Sequence, residues 1–325
     1  MDQTSKDRES TLLVVGSANM DLVVTCDRFP EPGETVFGGS FATYPGGKGA
    51  NQAVAAARLE GDVLLLAKLG SDAFGDELEH HLRESGVHVE YLLRDETAPT
   101  GVALITVEGS GQNEILVVSG SNMELSPDDV VAHRDLFDGV STLLLQLETP
   151  IPTAQAAAEI ARDRGVAVVL NPAPAAELPD ELLQKVDYLT PNELEAEKLS
   201  GVAVRDLDSA EQAALRLLAR GVRNVIVTLG ATGALRVHKD GVQFAAAPVV
   251  DAVDSTAAGD AFNGAFARAL SWRWAASEAL EFAVYAASFS VTRPGAQPSL
   301  PSLNDLISFI TPELRARLLR VARPY

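Results

Sequence analysis

Two aspartates six positions apart stand at the start of an apolar, alanine-rich segment late in the chain. Asp254 and Asp260 flank a run of small residues, and the segment from Ala257 to Leu270 is predicted to be a buried helix. Small residues at a helix N-terminus leave backbone N–H groups uncovered, and these groups attract anions. A phosphoryl-transfer site needs such donors together with a carboxylate that accepts a hydroxyl proton. An N-cap aspartate and close helix packing would produce the same pattern.

The segments that must position these aspartates alternate between strand and helix patterns. The run Thr11 to Val15 reads as a buried strand, a helix is predicted from Ala50 to Leu59, and a second apolar helix from Ser277 to Thr292. This alternation predicts an α/β fold with a mostly parallel central sheet flanked by helices. We expect one domain, residues 11–310, after a disordered tail at residues 1–10. Further helices are predicted at Pro127 to Phe137, Leu207 to Arg220 and Asn304 to Val321.

Two segments interrupt the alternation with β-favouring residues and turns. Residues Leu22 to Tyr44 hold short β runs, one of them Thr35 to Phe37, separated by proline and glycine. Residues Thr100 to Ser119 have the pattern of a hairpin. We expect the two segments to form one small sheet that acts as a lid over the ligand site. Its exposed face is expected to mediate a homodimer, because an uncovered sheet is a liability in a monomer.

Composition and charge exclude several classes of function. The net charge is −19, from 26 basic and 45 acidic residues, which argues against nucleic-acid binding because that requires basic patches. No uncharged apolar run reaches the ~18 residues of a membrane span, and residues 1–10 lack the apolar centre of a signal peptide. The single cysteine, Cys26, allows no internal disulfide. We therefore expect a cytoplasmic protein that binds neither nucleic acid nor membranes.

Polar or glycine-rich stretches follow several predicted strands. Asn19 and Asp21 follow the first strand, and Glu148 follows a later one. A glycine-rich loop, Gly46 to Asn51, carries one lysine but lacks the spacing of a Walker A motif. Ligands of parallel α/β folds bind beyond the carboxyl ends of the strands, so these residues are expected to share one site. The simpler interpretation of Asn19 and Asp21 is an Asx turn.

Seven short stretches follow one another in the order found in a known family. They are Gly16 to Asp21, Pro30 to Thr35, Gly46 to Ala53, Asn171 to Pro174, Thr190 to Glu193, Thr228 to Gly230 and Thr256 to Asp260. Together they resemble the carbohydrate-kinase family that includes ribokinase, adenosine kinase and fructokinase, and its ribokinase branch in particular. The resemblance implies ATP-dependent phosphorylation of the primary (5-) hydroxyl of D-ribose, giving ribose 5-phosphate and ADP.

The resemblance also assigns roles to individual residues. It implies that Asp260 is the base that deprotonates the sugar hydroxyl, and that the small residues before it form an anion hole. The implied anion-hole residues are Ala257, Ala258 and Gly259. The implied sugar-binding residues are Asn19, Met20, Asp21, Gly47, Lys48, Gly49, Ala50, Asn51, Glu148 and Asp260. The implied ATP-binding residues are Asn192, Thr228, Leu229, Gly230, Ala231, Thr232, Gly233, Gly259, Asp260 and Val284.

Two kinds of ion follow from the resemblance. Asn192 and Glu195 match an Asn-x-x-Glu motif that orders water and Mg²⁺ around the phosphates, although the same spacing is typical of a capping box. K⁺ is implied as an activator that orders the anion-hole loop. Two unpaired carboxylates at one helix N-terminus would raise each other's pKa and repel ATP, and a cation beside Asp254 would prevent both effects. Alternatively, Asp254 only caps the helix. The implied cation ligands are Asp254, Thr256, Ser290, Arg293, Gly295 and Ser299, several through carbonyl oxygens.

Other activities stay open at the level of sequence. A kinase for deoxyribose, fructose or adenosine is one alternative, and a non-catalytic sugar-sensing module is another, although the presence of Asp260 argues against the latter. The aromatic residues within Leu22 to Tyr44 could form a cleft for adenosine, whereas the polar residues at the strand ends favour a free sugar. Val284 and Pro294 depart from the family pattern, near the adenine and in the cation loop respectively.

Overall fold

A computed structural model describes residues 11–110 and 112–321, so the predicted disordered tail at residues 1–10 lies outside the described residues. The strands are β1 (Thr11–Val15), β2 (Asn19–Cys26), β3 (Ser40–Gly46), β4 (Val63–Gly70), β5 (Val87–His88), β6 (Leu92–Asp95), β7 (Gly101–Glu108), β8 (Asn113–Val118), β9 (Val140–Leu145), β10 (Ala167–Leu170), β11 (Tyr188–Leu189), β12 (Asn224–Thr228), β13 (Gly233–His238) and β14 (Gly241–Ala246). The α-helices are α1 (Lys48–Arg58), α2 (Ala73–Glu84), α3 (Pro127–Ala132), α4 (Ile151–Asp163), α5 (Asp180–Leu183), α6 (Glu193–Ser200), α7 (Leu207–Ala219), α8 (Ala258–Ser271), α9 (Ala276–Ser290), α10 (Leu303–Phe309) and α11 (Pro312–Val321).

The central sheet follows the strand order β14-β13-β12-β11-β10-β9-β1-β4-β5, and β6 also pairs with β4. Every pairing from β12 through β1 to β5 and β6 is parallel, whereas β12-β13 and β13-β14 are antiparallel. The predicted α/β class with a mostly parallel sheet is therefore confirmed. Among the described residues, none of the helices has the length and apolar character needed to cross a membrane.

Strand β1 shows why this sheet requires helices on both faces. Leu12 and Val14 belong to one hydrophobic core, and Leu13 and Val15 belong to the other. Successive side chains of a strand point to opposite faces, so a strand covered on both sides is apolar throughout. Helices α1, α8 and α9 contribute to the first core, and α4 and α7 contribute to the second.

The two interrupting segments form one small four-stranded sheet in the order β3-β2-β7-β8, as predicted. β2 pairs with β7 in parallel, and the outer pairs are antiparallel. The prediction of a strand at Thr35 to Phe37 is wrong, since that stretch is irregular and Phe37 is 96% exposed. β2 begins at Asn19, so Asn19 and Asp21 lie on a strand and not in an Asx turn.

Two predicted helices are each divided in the structure. Residues Pro127 to Phe137 form α3 followed by a 3₁₀ turn, Arg134–Phe137. The predicted helix from Asn304 to Val321 is two helices, with α10 ending at Phe309 and α11 beginning at Pro312. Proline lacks the N–H that would continue a helix and disfavours helical geometry in the residue before it, but it is well suited to a first helical position.

Candidate active site

Helices α1 and α8 meet at very short range near the carboxyl ends of the parallel strands. A Cβ atom at Gly264 would lie 2.6 Å from the Cβ of Ala55, so only glycine permits this approach. One turn earlier on each helix stand Asn51 and Asp260, on the same helix faces. The Nδ2 of Asn51 donates to Oδ2 of Asp260 at 3.0 Å. The packing of two small-residue helices therefore brings distant parts of the chain into one site.

Asp260 combines deep burial with several polar partners. Its side chain is 7% exposed, and burial raises its pKa above the ordinary range. The positive charge of Lys48 and hydrogen bonds from Gln52 and Asn51 oppose this shift, while the charge of Glu148 adds to it. Burial favours the protonated acid and the donors favour the carboxylate, a balance suited to a group that must accept a proton and later release it.

Glu148 is held at the end of β9 by donors from two other segments. Its Oε2 accepts from the hydroxyl of Ser17 at 2.5 Å and from the backbone N–H of Lys48 at 2.9 Å. Burial disfavours the charge of Lys48, but the negative charges of Asp260, Glu148 and Glu195 outweigh this effect and raise its pKa. A protonated lysine thus stands among three carboxylates.

Asn19 and Asp21 enter the same site from the small sheet. Asn122 donates to Oδ1 of Asn19 at 2.7 Å and accepts from the backbone N–H of Ala18 at 2.9 Å, which fixes the orientation of the Asn19 amide. Burial and the charges of Glu148 and Asp260 raise the pKa of Asp21 to about 7. Oxygen atoms on several sides of one space are what a polyhydroxylated ligand requires.

The glycine-rich loop lies directly against the end of β1. A Cβ at Gly49 would lie 2.5 Å from the backbone nitrogen of Ser17, and one at Gly47 would lie 2.7 Å from that of Asn19. Gly47 also has a φ of 84°, which disfavours other residues. The side chains of Met20 and Ala50 are fully buried in the core, so they can offer a ligand only their backbone atoms.

The N-terminus of α8 is open. Its N-cap residue, Ala257, has a φ of 59° and caps nothing with its side chain, and Gly259 in the first turn is exposed. The N–H of Ala258 donates to the carbonyl of Ser255 at 3.2 Å, so not every N–H of the predicted anion hole is free. A non-glycine residue in the left-handed region is a local strain of the kind that clusters at functional sites.

The predicted nucleotide side of the site begins with a capping box. The side chain of Asn192 accepts from the N–H of Glu195 at 2.8 Å, and the carboxylate of Glu195 accepts from the N–H of Asn192 at 2.9 Å. Glu195 is 8% exposed, and burial raises its pKa. Residues Gly230–Thr232 form an exposed 3₁₀ turn after Thr228 and Leu229, and Gly233 opens β13. Val284 is 4% exposed within the core, which leaves little of its side chain for a ligand.

The predicted cation ligands lie on two segments that are bonded together. Asp254 Oδ1 accepts from the N–H and hydroxyl of Thr256, and Oδ2 accepts from the N–H of Gly295 at 2.8 Å. Burial raises the pKa of Asp254, but these hydrogen bonds outweigh it and lower the pKa. The premise of two unpaired carboxylates that raise each other's pKa is therefore wrong, and Asp254 does not cap α8 either, because the N-cap is Ala257.

The remaining predicted cation ligands differ in what their side chains can offer. The hydroxyls of Ser290 and Ser299 are buried and donate to the carbonyls of Ala287 and Ala296. The side chain of Arg293 donates to Asp305 and lies over the ring of Phe289, so Arg293 could offer an ion only its backbone carbonyl. Among the described residues, no group of three or more His, Cys, Asp or Glu side chains is arranged to hold a metal ion.

Comparison with known proteins decides the family. Residues 9–303 match the family model described as pfkB family carbohydrate kinase. The chain belongs to the pfkB family. It is 42% identical over 300 residues to the ribokinase of Haemophilus influenzae, covering 92% of this chain and 98% of that protein. It is 38% identical over 301 residues to the deoxyribokinase of Salmonella typhi, with the same coverage of 92% and 98%.

A solved structure gives the same result in three dimensions. The ribokinase of Arabidopsis thaliana, determined with ribose and ATP, superposes with a TM-score of 0.86 at 35% identity, covering 92% of this chain and 98% of that one. This member of the pfkB family is thus a sugar kinase, which is a transferase of carbohydrate metabolism. The family and the kinase activity predicted from the sequence are confirmed.

Several residues of the site were not predicted from the sequence. Gln52 donates a hydrogen bond to Asp260, Gln146 donates one to Gln52, and Asn122 orients the amide of Asn19. Asn171 accepts from Gln52 at 3.1 Å, whereas the sequence marks Asn171 only as part of a family motif. Gln52 directly follows Asn51 inside a recognised motif, which is the one signal that could have found it. The contacts of Gln146, Asn122 and Asn171 join residues more than 90 positions apart, so no local sequence pattern predicts them.

Proposed function

We propose that this kinase uses ATP to phosphorylate the 5-hydroxyl of D-ribose, giving ribose 5-phosphate and ADP. The observation that carries the proposal is the position of Asp260, a buried carboxylate at the open end of α8 and surrounded by the polar groups expected to hold a sugar. Identity of 42% to a ribokinase along nearly the whole chain supports ribose as the substrate.

The proposed reaction uses groups that the site already places together. The carboxylate of Asp260 accepts the proton of the sugar hydroxyl, and the resulting oxygen bonds to the γ-phosphorus as the bond to the ADP oxygen breaks. The N–H of Gly259 stabilises charge on the transferred group, and Lys48 lies close enough to Asp260 to add its own positive charge. A positioned general base contributes ~10²–10⁴-fold to the rate.

The donor set fits Mg²⁺ brought in with the nucleotide. Mg²⁺ is held in kinases by one or two carboxylates and the substrate phosphates, not by a cage of protein ligands. Glu195 supplies one buried carboxylate, of which the capping box uses one oxygen. When bound, Mg²⁺ neutralises phosphate charge. Glu195 would contact it through water.

We further propose a K⁺ site between the segments that carry Asp254 and Gly295. The support for this site differs from the sequence argument: among the described residues, Gly295 alone donates to Oδ2 of Asp254, which leaves a second lone pair of this oxygen for an ion. The N–H groups of Val253 and Asp254 donate to the carbonyl of Val291, so the two segments would move together on binding an ion. Ordering them would order the start of α8.

The small sheet is proposed to close over the sugar and to form a homodimer. Strand β8 is exposed along its whole length. On one face of the sheet Leu116 is 64% exposed, Leu104 is 43% exposed and Phe41 on β3 is 63% exposed, whereas Ile115, at 56%, points to the other face. Such an apolar surface is larger than scattered exposed residues would explain. Light scattering should give a dimer at micromolar concentration for the parent chain and a monomer for Leu116→Asp. A monomeric parent would contradict the dimer but not the lid.

Deoxyribose is the second candidate substrate, because the chain is also 38% identical to a deoxyribokinase. The test is ATP consumption with a panel of ribose, deoxyribose, fructose and adenosine, with the product identified by phosphorus NMR. We expect the highest kcat/KM with ribose and a phosphate on the 5-oxygen. A higher kcat/KM with another member of the panel would overturn ribose as the substrate. Binding of sugar without ATP consumption would favour a sensing module.

A further inference from the structure

Two chains of side-chain amides end on Asp260, one on each oxygen of its carboxylate. The shorter chain comes from the strand β9 side of the site. Nε2 of Gln146, just after β9, donates to Oε1 of Gln52 at 2.6 Å, and Nε2 of Gln52 donates to Oδ1 of Asp260 at 2.9 Å. Both glutamines are fully buried.

The longer chain starts near the protein surface. Nε2 of His81, on α2, lies 2.7 Å from Oε1 of Gln297. Nε2 of Gln297 donates to Oδ1 of Asn51 at 3.0 Å, and Nδ2 of Asn51 donates to Oδ2 of Asp260 at 3.0 Å. Gln297 is 1% exposed. Its backbone is fixed as well, because Arg58 donates to the carbonyl of Gln297 at 2.7 Å.

Because both chains end on the carboxylate of Asp260, the direction of hydrogen-bond donation is fixed along each of them. An ionised carboxylate only accepts hydrogen bonds, so Asn51 and Gln52 must turn their amide nitrogens towards Asp260. Their oxygens then point away and require donors, which Gln297 and Gln146 supply. The oxygen of Gln297 in turn requires a donor, so the Nε2 of His81 carries its proton. Each amide therefore has one orientation that satisfies its neighbours.

Neutral amides can hold this carboxylate in place without the large pKa shift that a contacting cation would cause. An additional lysine or arginine in contact with Asp260 would favour its ionised form strongly and weaken it as a base. Amide donors fix the position of both oxygens while adding no net charge. The charged groups that face Asp260 are Asp21, Lys48, Glu148 and Glu195, and none of them belongs to either chain.

We propose that Gln52 and Gln297 are positioning residues of the phosphoryl transfer, which hold the carboxylate of Asp260 towards the sugar hydroxyl through the two amide chains. This inference rests on the proposed role of Asp260 as the base. It also ties the segment after Gly295 to the reacting group, because Gln297 reaches Asp260 through Asn51 alone.

The test is the pH dependence of kcat in Gln52→Met, measured at saturating ribose and ATP. Methionine has nearly the length of glutamine but donates no hydrogen bond. Loss of one donor to the carboxylate raises the pKa of Asp260, so the acidic limb of the profile should move up by about one pH unit. At the acidic end kcat should fall about tenfold, while KM for ATP stays at the parent value. Gln155→Met, on the outer face of α4, is the matched control and should behave like the parent.

A merely structural role of Gln52 would give a different profile, because its replacement would then change kcat by the same factor at every pH and leave the midpoint in place. A folded Gln52→Met protein with an unmoved acidic limb therefore overturns the inference. If circular dichroism shows that Gln52→Met does not fold, Gln297→Met decides by the same measurement, with a smaller shift in the same direction because it acts through Asn51. A parent that phosphorylates no sugar, or an Asp260→Asn variant that keeps its rate, instead refutes the proposed function.

Discussion

Two helices of the candidate site begin in opposite ways. Helix α6 closes its own N-terminus, because Asn192 and Glu195 satisfy each other's backbone N–H groups. Within the described part of the chain, no side chain caps helix α8, which begins after a left-handed Ala257 and exposes Gly259 in its first turn. A cap contributes about 1 kcal/mol, so α8 forgoes stability that α6 obtains.

The difference teaches which helix end is available to a ligand. Uncapped N–H groups keep their hydrogen-bonding capacity for an anion, and the helix dipole adds to the attraction. A capped end presents mainly the outer faces of its capping side chains. The transferred phosphate is therefore expected at the N-terminus of α8. Helix α6 is expected to contact the nucleotide only through the side chains of Asn192 and Glu195.

The largest effect is expected from adding one methyl group at the open N-terminus of α8. In Gly259→Ala the new Cβ would meet no atom of the described residues within 4 Å, and alanine is the better helix former, so the melting temperature should not fall. The methyl would stand where we place the phosphate, and kcat/KM for ATP should fall ~100-fold through misplacement of the reacting groups. Leu194→Ala changes the equivalent second position of α6 and should leave the kinetics unchanged. Parent kinetics in Gly259→Ala would show that the phosphate binds elsewhere.

The closed end can be tested by separating the cap from the ligand contact. Asn192→Asp keeps an oxygen that accepts from Glu195 but loses the amide N–H and adds a negative charge. We expect an unchanged melting temperature and a KM for ATP about tenfold higher, because the charge opposes the phosphates. Asn192→Ala should also lose about 1 kcal/mol of unfolding free energy. If Asn192→Asp binds ATP as the parent does, Asn192 is a cap and nothing more.

A smaller effect should come from the segment that leads into α8. Replacing Na⁺ with K⁺ at constant ionic strength is expected to raise kcat several-fold, because the ion orders the segments joined by Asp254 and Gly295. Asp254→Ala should abolish this response and leave a slow basal reaction. Asp251→Ala removes an exposed carboxylate from the same segment and serves as the control. A K⁺ response that survives in Asp254→Ala would place the ion elsewhere.

The parts of the fold that depend on local pattern could be predicted from the sequence. Apolar runs such as Thr11 to Val15 predicted buried strands, and turn residues predicted the hairpin of the small sheet. The open start of α8 was recognisable too, because Ala257, Ala258 and Gly259 have small side chains. The ends of elements were predicted less well. One continuous helix was predicted across Pro312, whereas the structure has two helices there.

The network behind Asp260 could not be predicted in the same way. Gln297 bonds to Asn51 across 246 positions, and only the close packing of α1 against α8 brings Asn51 to Asp260. The hydrogen bond from Gly295 to Asp254 could not be predicted either, because the two residues are 41 positions apart. Hydrogen bonds between distant segments follow from packing, and packing has no periodic signature in the sequence.

The most direct test of the central claim is the turnover of Asp260→Asn, with ribose binding measured beside it by calorimetry. Asparagine keeps the size of the side chain but cannot accept the hydroxyl proton. We predict that kcat falls at least ~100-fold while the Kd for ribose stays close to that of the parent. An Asp260→Asn protein that phosphorylates ribose at nearly the parent rate would contradict the assignment of Asp260 as the base.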